Sequence, residues 1–255
     1  MTGKPGGQKT MSSKRLNRDV IKYIAMATML CNHIANIFME PGTLLFDFMI
    51  GIGYFTAPVM CYFLAEGYHY THSKKKYAIR LAVFAVLSEI PFCMAFAEVF
   101  GSGGVITFCG FNMIFTLLLC FCILLIQEYV QDAAVRVLLI FLIFCVSVFS
   151  DWAIMAPAFT LFFSSARGDS RKIKKSFLYC IVLFLLLNLP VGEIFSVRVL
   201  ISQIFYVSGV ILAGIIIVYF YNGKRMERGR TFSKWFFYLF YPIHLLILGL
   251  IRIFI

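Results

Sequence analysis

Charge is scarce in this chain. Only 14% of its 255 residues are Asp, Glu, Lys or Arg, and 61% are hydrophobic; a soluble domain carries about 25% charged residues. That scarcity excludes an ordinary water-facing globule. Acid is scarcer than base, with 12 Asp and Glu against 23 Lys and Arg. The familiar catalytic signatures are missing as well. No GxSxG elbow, HExxH zinc helix or P-loop occurs, so the chain is not assigned to the hydrolases, metalloproteases or NTPases that use them. Gly101-Ser102-Gly103-Gly104 is too weak for a nucleophile site and reads as a flexible outer loop. The eight cysteines show no metal-ligand spacing. Buried free thiols are therefore the default and no metal is expected, although Cys93 and Cys109 fall on one side and can pair. The first residues lack the apolar stretch of a cleavable signal peptide, so the first span is expected to act as an uncleaved anchor. No internal or inverted repeat of the transporter kind is visible.

What the chain does have is a succession of long apolar runs, which predicts an all-α, polytopic membrane protein. About nine spans are expected, at 20–39, 44–66, 77–97, 111–127, 134–150, 152–164, 176–192, 199–221 and 235–254. The sixth is short and contains Pro157, so it is expected to be tilted, broken or re-entrant. Residues 98–110 can also fold back into the protein. Residues 1–18 read as a disordered cytoplasmic tail and 19–255 as one membrane domain.

The basic residues test that topology. With the N-terminus inside, 21 of the 23 fall in the tail or the inner loops, leaving Arg198 and Arg252 outside. This positive-inside pattern predicts N-in and C-out. Deleting one span would invert every later loop, so the short sixth span counts. The net charge of +11 then reflects topology and anionic inner-leaflet lipid, and no nucleic-acid partner is expected.

Ionisable groups at membrane depth are costly and mark function by default. His33 lies about 20 Å along the first span at 1.5 Å per residue, flanked by Asn32 and Asn36. The third span carries Ser88-Glu89-Ile90-Pro91, where Pro91 leaves the Leu87 carbonyl without its helical donor. In the last span Tyr241 and His244 share a face at i, i+3, beside Pro242. Asp47, Asn112 and Asp151 fall near outer helix ends and suggest, with His33 and Glu89, a polar pocket open to the outside. Glu66 is expected to pair with Arg80 or a loop lysine. Each also has a plainer reading: a histidine bonded across helices, a structural kink, an interfacial tyrosine.

Four stretches carry a family resemblance: Met29-Leu30-Cys31-Asn32-His33-Ile34; Ala57-Pro58 through Ala65-Glu66-Gly67-Tyr68-His69-Tyr70-Thr71; Ser88-Glu89-Ile90-Pro91-Phe92; and Tyr238-Leu239-Phe240-Tyr241-Pro242-Ile243-His244-Leu245. From about residue 20 onward the chain resembles the TraX family of integral membrane proteins, whose named member is an F-pilin acetylase. The family often has Asp-His where this chain has Asn32-His33. The resemblance implies a multi-pass protein of a bacterial cytoplasmic membrane. It implies transfer of acetyl from acetyl-CoA to an amine or hydroxyl of an extracytoplasmic, pilin-like acceptor. On that reading Lys74, Lys75, Lys76, Arg80, Arg171, Lys172, Lys224 and Arg225 hold the coenzyme phosphates. His33 is the general base, Asn32 orients it or binds the thioester carbonyl, and Glu89 and His244 position the acceptor or shuttle the proton. Asp47, Asn112, Asp151 and Tyr241 line the acceptor side. A proton-coupled transporter or flippase, and a non-catalytic partner in a secretion or conjugation assembly, remain the alternatives.

Overall fold

The computed structural model describes residues 15–101, 104–189 and 196–255. Most of the expected tail, Ser102 and Gly103 of the expected loop, and the last residues of the seventh expected span lie outside them. The described chain is helical throughout, with two isolated β-bridges and no strand. In chain order the helices are α1 (Arg18–Phe38), α2 (Leu44–Gly53), α3 (Thr56–Tyr70), α4 (Lys74–Phe96), α5 (Met113–Tyr129), α6 (Ala133–Ser147), α7 (Met155–Ser165), α8 (Ser170–Leu187), α9 (Val197–Ile215) with a π-helical turn at Ile216–Phe220, and α10 (Arg230–Phe254). Short polar residues start most of them. Asn17, Thr43, Ser73, Asn112, Asp132 and Asp169 each accept a backbone N–H from the first turn, which satisfies donors that the helix itself leaves free.

The second expected span is two helices. Pro58 has no N–H to offer the Tyr54 carbonyl and its ring crowds that turn, so the helix breaks at Tyr54–Phe55 and resumes at Thr56. Thr56 then donates its hydroxyl to the Ala25 carbonyl of α1 at 2.7 Å. Helices α4 and α10 run through Pro91 and Pro242 without stopping. The sixth expected span is helical only over α7, 11 residues long. Among the described residues, five helical stretches are long and apolar enough to cross a membrane: Arg18–Phe38, Leu44–Tyr70, Lys74–Phe96, Val197–Phe220 and Arg230–Phe254.

Side chains sort the two ends of the bundle. At one end Arg18 meets Glu66 at 4.0 Å, Glu66 accepts from the Tyr221 hydroxyl at 3.0 Å, Lys74 pairs with Glu128, and Arg167 reaches His69 at 3.1 Å. Residues 15–18 are stitched to 220–224 there, with Leu16 N–H donating to Phe220 O and Arg18 N–H to Lys224 O. At the other end Arg198 holds Asp47 at 2.8 Å, and Arg252 holds Glu98 at 2.7 Å together with the carbonyls of Met94, Gly104 and Val105. Glu66 therefore pairs with Arg18 and Tyr221, and neither Arg80 nor a loop lysine is its partner. Helices α2 and α9 touch backbone to backbone, because Gly51 and Gly209 face each other with no room for a Cβ on either. Helix α6 packs on α5 at the periphery, with Ser147 its one buried residue.

Candidate site: a histidine pair above a basic cavity

His33 projects from α1 on the face that carries Met26 and Met29, and His244 projects from α10 one turn beyond Tyr241. Both are buried. Their rings lie nearly parallel, with centroids 5.0 Å apart, and His33 Nδ1 is 2.8 Å from His244 Nε2. His244 Nδ1 is in turn 2.7 Å from the Phe240 carbonyl.

This geometry fixes the tautomers. A carbonyl only accepts, so His244 Nδ1 carries the proton and donates to it. In a neutral ring its Nε2 is then an acceptor, and His33 Nδ1–H donates to it. A charged pair would place an uncompensated cation in an apolar setting, which is disfavoured. The remaining nitrogen, His33 Nε2, is left as an unprotonated base with no hydrogen-bond partner among the described residues. Phe96 stands edge-on to the His33 ring at 5.2 Å, and Tyr241 at 6.3 Å.

A cavity of about 390 Å³ opens at the end where Arg18 lies and extends to Met29, Phe240 and Tyr241, next to the pair, without either histidine lining it. Its mouth is cationic, with Arg18, Lys22, Arg80, Arg225, Arg230 and Lys234 against the single acid Asp19. The acid is already used: Asp19 accepts from the Met226 N–H at 2.8 Å and the Ser233 hydroxyl at 2.9 Å. The Arg80 Nε is buried in the wall without a partner, an arrangement that costs energy unless an acceptor completes it. The deep walls are apolar and include Met26, Met29, Met113, Phe240 and Tyr241. Met29 is one turn, about 6 Å of rise, from His33. Phe240 stacks on the His244 ring at 4.7 Å.

Of the residues singled out in the sequence, His33 and His244 come together. Glu89 does not join them. One oxygen accepts from the Asn112 side chain at 2.6 Å and the Asn112 N–H at 3.2 Å, and the other faces the Cys93 thiol at 3.7 Å. Asn112 caps α5 and also donates to Ala85 O, so this pair fastens α4 to the start of α5. Asn32 turns away from His33 toward α2, where it donates to Ile50 O at 3.1 Å and accepts from Asn36; the partner that orients His33 is His244. Tyr241 accepts the Met113 N–H at 3.2 Å and so links the histidine pair to the Glu89–Asn112 knot.

The set expected to hold coenzyme phosphates divides in the same way. Arg80 and Arg225 line the cavity. Lys74 is held by Glu128, outside it. Lys75, Lys76, Arg171, Lys172 and Lys224 are exposed and do not line it. The cavity cations missed in the sequence are Arg18, Lys22, Arg230 and Lys234. The acceptor-side set does not form one pocket, since Asp47 is committed to Arg198, Ser202 and Tyr206. Asp151 sits in the turn before α7, where burial pushes its carboxyl up to about 6. Cys93 and Cys109 are neighbours but both are free thiols. Burial pushes the Cys109 thiol up to about 12.

Comparison with known proteins follows the same outline. A family model described as "TraX protein" matches residues 17–252. A relative from Dichelobacter nodosus, described as "Probable fimbrial assembly protein FimC, serogroup H1", is 28% identical over 238 residues, which cover 92% of this chain and 95% of the relative. No solved structure matches.

Proposed function

Since the chain belongs to the TraX family, we propose that it is an integral membrane acyltransferase that moves acetyl from acetyl-CoA to the amine of a pilin-like acceptor. The observation that carries this reading is a cavity lined by six cations whose apolar residues Met29, Phe240 and Tyr241 adjoin a hydrogen-bonded histidine pair with a free ring nitrogen. A nine-span, N-in and C-out course in a bacterial cytoplasmic membrane suits it, because the helix ends that carry the loop cations meet at one end of the bundle. The description of the relative as a fimbrial assembly protein suits an acceptor of the pilin kind.

The cavity explains the division of labour. Coenzyme A is polyanionic and has a long uncharged arm ending in a thiol. Its phosphates match the cationic mouth, and the unpartnered Arg80 Nε supplies a donor that a phosphate oxygen can accept. The arm matches the apolar methionine and aromatic walls, which bring the thioester toward the histidines. In the reaction the acceptor nitrogen attacks the thioester carbonyl carbon. The C–N bond forms as the C–S bond breaks, His33 Nε2 takes the proton released from nitrogen, and that proton leaves with the coenzyme thiolate as a thiol. His244 keeps the reactive nitrogen of His33 unprotonated by accepting from the other one, and the Phe240 carbonyl holds His244.

The test is release of free thiol from acetyl-CoA by the purified protein, with and without an acceptor peptide bearing a free N-terminus. Acetyl should appear on the peptide in step with thiol, and His33→Ala should lose both while melting at an unchanged temperature. Full activity in a folded His33→Ala protein would rule the mechanism out. Solute counterflow in liposomes without thioester cleavage would support a transporter in its place.

A further inference from the structure

Of the polar residues at the end opposite the cationic mouth, nearly all are used up by the fold. Both Asp47 oxygens are occupied, by Arg198 and Ser202 on one and Tyr206 on the other. Asn112 spends its oxygen on the Ile114 and Phe115 N–H groups and its nitrogen on Ala85 O and Glu89. Glu89 is spent on Asn112 and Cys93. Asp151 differs. Its backbone is locked, since its N–H donates to Phe111 O at 2.7 Å and its carbonyl accepts from Thr116 at 2.6 Å. Its carboxylate, however, accepts only from the N–H of the next residue; the Tyr54 and Tyr241 side chains face it, and no cation pairs with it among the described residues.

Two independent features mark the same spot. Trp152 has φ of 53°, a left-handed backbone that bulky residues avoid and that persists only where surroundings impose it. Around it Tyr54 stands edge-on to the Trp152 ring at 5.6 Å, and Phe184 lies 6.2 Å away. A carboxylate without a cation, beside an aromatic cluster, is complementary to an ammonium group, which pairs with the acid and is attracted to aromatic rings. The spot is also tied to the histidine pair. Asp151 hangs on Phe111, and two residues on, Met113 donates to Tyr241, whose ring faces His33.

We propose that Asp151, with Trp152 and Tyr54, is the site that seats the N-terminal ammonium of the acceptor, which releases one proton to water before its nitrogen attacks and gives the second to His33 Nε2. This rests on the acyltransferase reading for its place in the reaction, though the binding it requires does not depend on turnover. Residues outside the carboxylate supply no charge of either sign at this spot, so the site favours amines over neutral hydroxyl acceptors.

Two measurements separate the outcomes. In the transfer assay Asp151→Asn should raise the KM for a free-amine peptide by about 10- to 100-fold, leave the KM for acetyl-CoA and the kcat near their original values, and leave neutral acceptors unaffected. The second readout needs no chemistry. The chain has two tryptophans, so Trp235→Phe leaves Trp152 as the sole indole. A peptide with a free N-terminus should saturably change its fluorescence in the His33→Ala, Trp235→Phe protein, and the N-acetylated peptide should not. Loss of that response on Asp151→Asn supports the site. An equal response to both peptides, or one that survives Asp151→Asn, overturns it. If the response holds while wild-type protein transfers no acetyl, the ammonium site stands and the acyltransferase reading falls.

Discussion

Replacing His244 tests the histidine pair most directly. In His244→Leu the His33 Nδ1–H loses its 2.8 Å acceptor. A buried donor left without a partner costs about 1–3 kcal/mol. His33 escapes that cost by rotating or by moving its proton to Nε2, and either change displaces or removes the free base that Nε2 supplies. Since each 1.4 kcal/mol is tenfold, kcat for thiol release should fall by about 10- to 100-fold, with the KM for acetyl-CoA little changed because the cationic mouth is untouched. His244→Gln should recover part of the loss, since an amide oxygen accepts the same hydrogen bond. The melting temperature of each variant, measured in detergent, separates lost chemistry from lost folding. His244→Leu with undiminished kcat in a folded protein would refute the tautomer argument, and so would His244→Gln no better than His244→Leu.

Four further outcomes follow from other parts of the molecule. Arg80→Gln should raise the KM for acetyl-CoA by about 10- to 100-fold, because a hydrogen bond to a charged group is worth about 1.5–3 kcal/mol, and a saturation curve at fixed salt checks it. Gly209→Val should lower the melting temperature, by about 1–3 kcal/mol of overpacking, since any Cβ there meets the backbone of α2. Asp47→Ala should destabilise the fold more than Arg198→Ala does: the acid is buried and leaves three donors behind, whereas the Arg198 side chain is 40% exposed and its share is reduced by solvent. Asp151 carries a pH signature. Burial lifts its folded-state pKa to about 6, above the ordinary carboxylate value of 3.8, so the folded protein binds the proton more tightly, with Tyr54 and Tyr241 the titratable groups that face it. Stability should therefore fall as pH rises from about 4 to 6, and Asp151→Asn should flatten that slope and raise the melting temperature at neutral pH.

His33 and His244 were legible in the sequence for a simple reason. An ionisable side chain inside an apolar run has few innocent explanations, and both stood out against their neighbours. The helices were legible because hydrophobic runs bounded by basic loops and polar caps have one economical reading. Glu89 and Asn32 looked equally conspicuous, but a sequence does not reveal which polar group another has already satisfied. Glu89 proved to be the anchor of Asn112, and Asn32 a prop for the broken helix around Gly53. The break itself was written in Pro58, three residues past the point where the chain bends. Loop charge alone does not distinguish residues on exposed first turns, such as Lys75 and Arg171, from Arg80 in the cavity wall.

The spacing along two helices contains what charge alone does not. Along α1 the residues Arg18, Lys22, Met26, Met29 and His33 are separated by four, four, three and four positions, which keeps them on one face. Along α10 the residues Arg230, Lys234, Phe237, Tyr241 and His244 are separated by four, three, four and three, again one face. Each helix thus carries cations at its start, an apolar or aromatic stretch, and a histidine about four turns on. Placed side by side and parallel, two such stripes produce a cationic mouth, an apolar passage and a histidine pair at matching depth, which is the order found in the cavity. The stripe also explains why the four missed cations are Arg18, Lys22, Arg230 and Lys234. They belong to the helices that bear the histidines, whereas the loop lysines belong to helices that do not. Moving Lys22 by one position, as in a Lys22→Ala, Tyr23→Lys double variant, keeps the charge of the segment and takes it off the stripe. Acetyl-CoA should then bind less tightly than to wild type by a factor similar to that for Lys22→Ala alone, and full recovery by the displaced lysine would show that net charge, and not the stripe, sets the affinity.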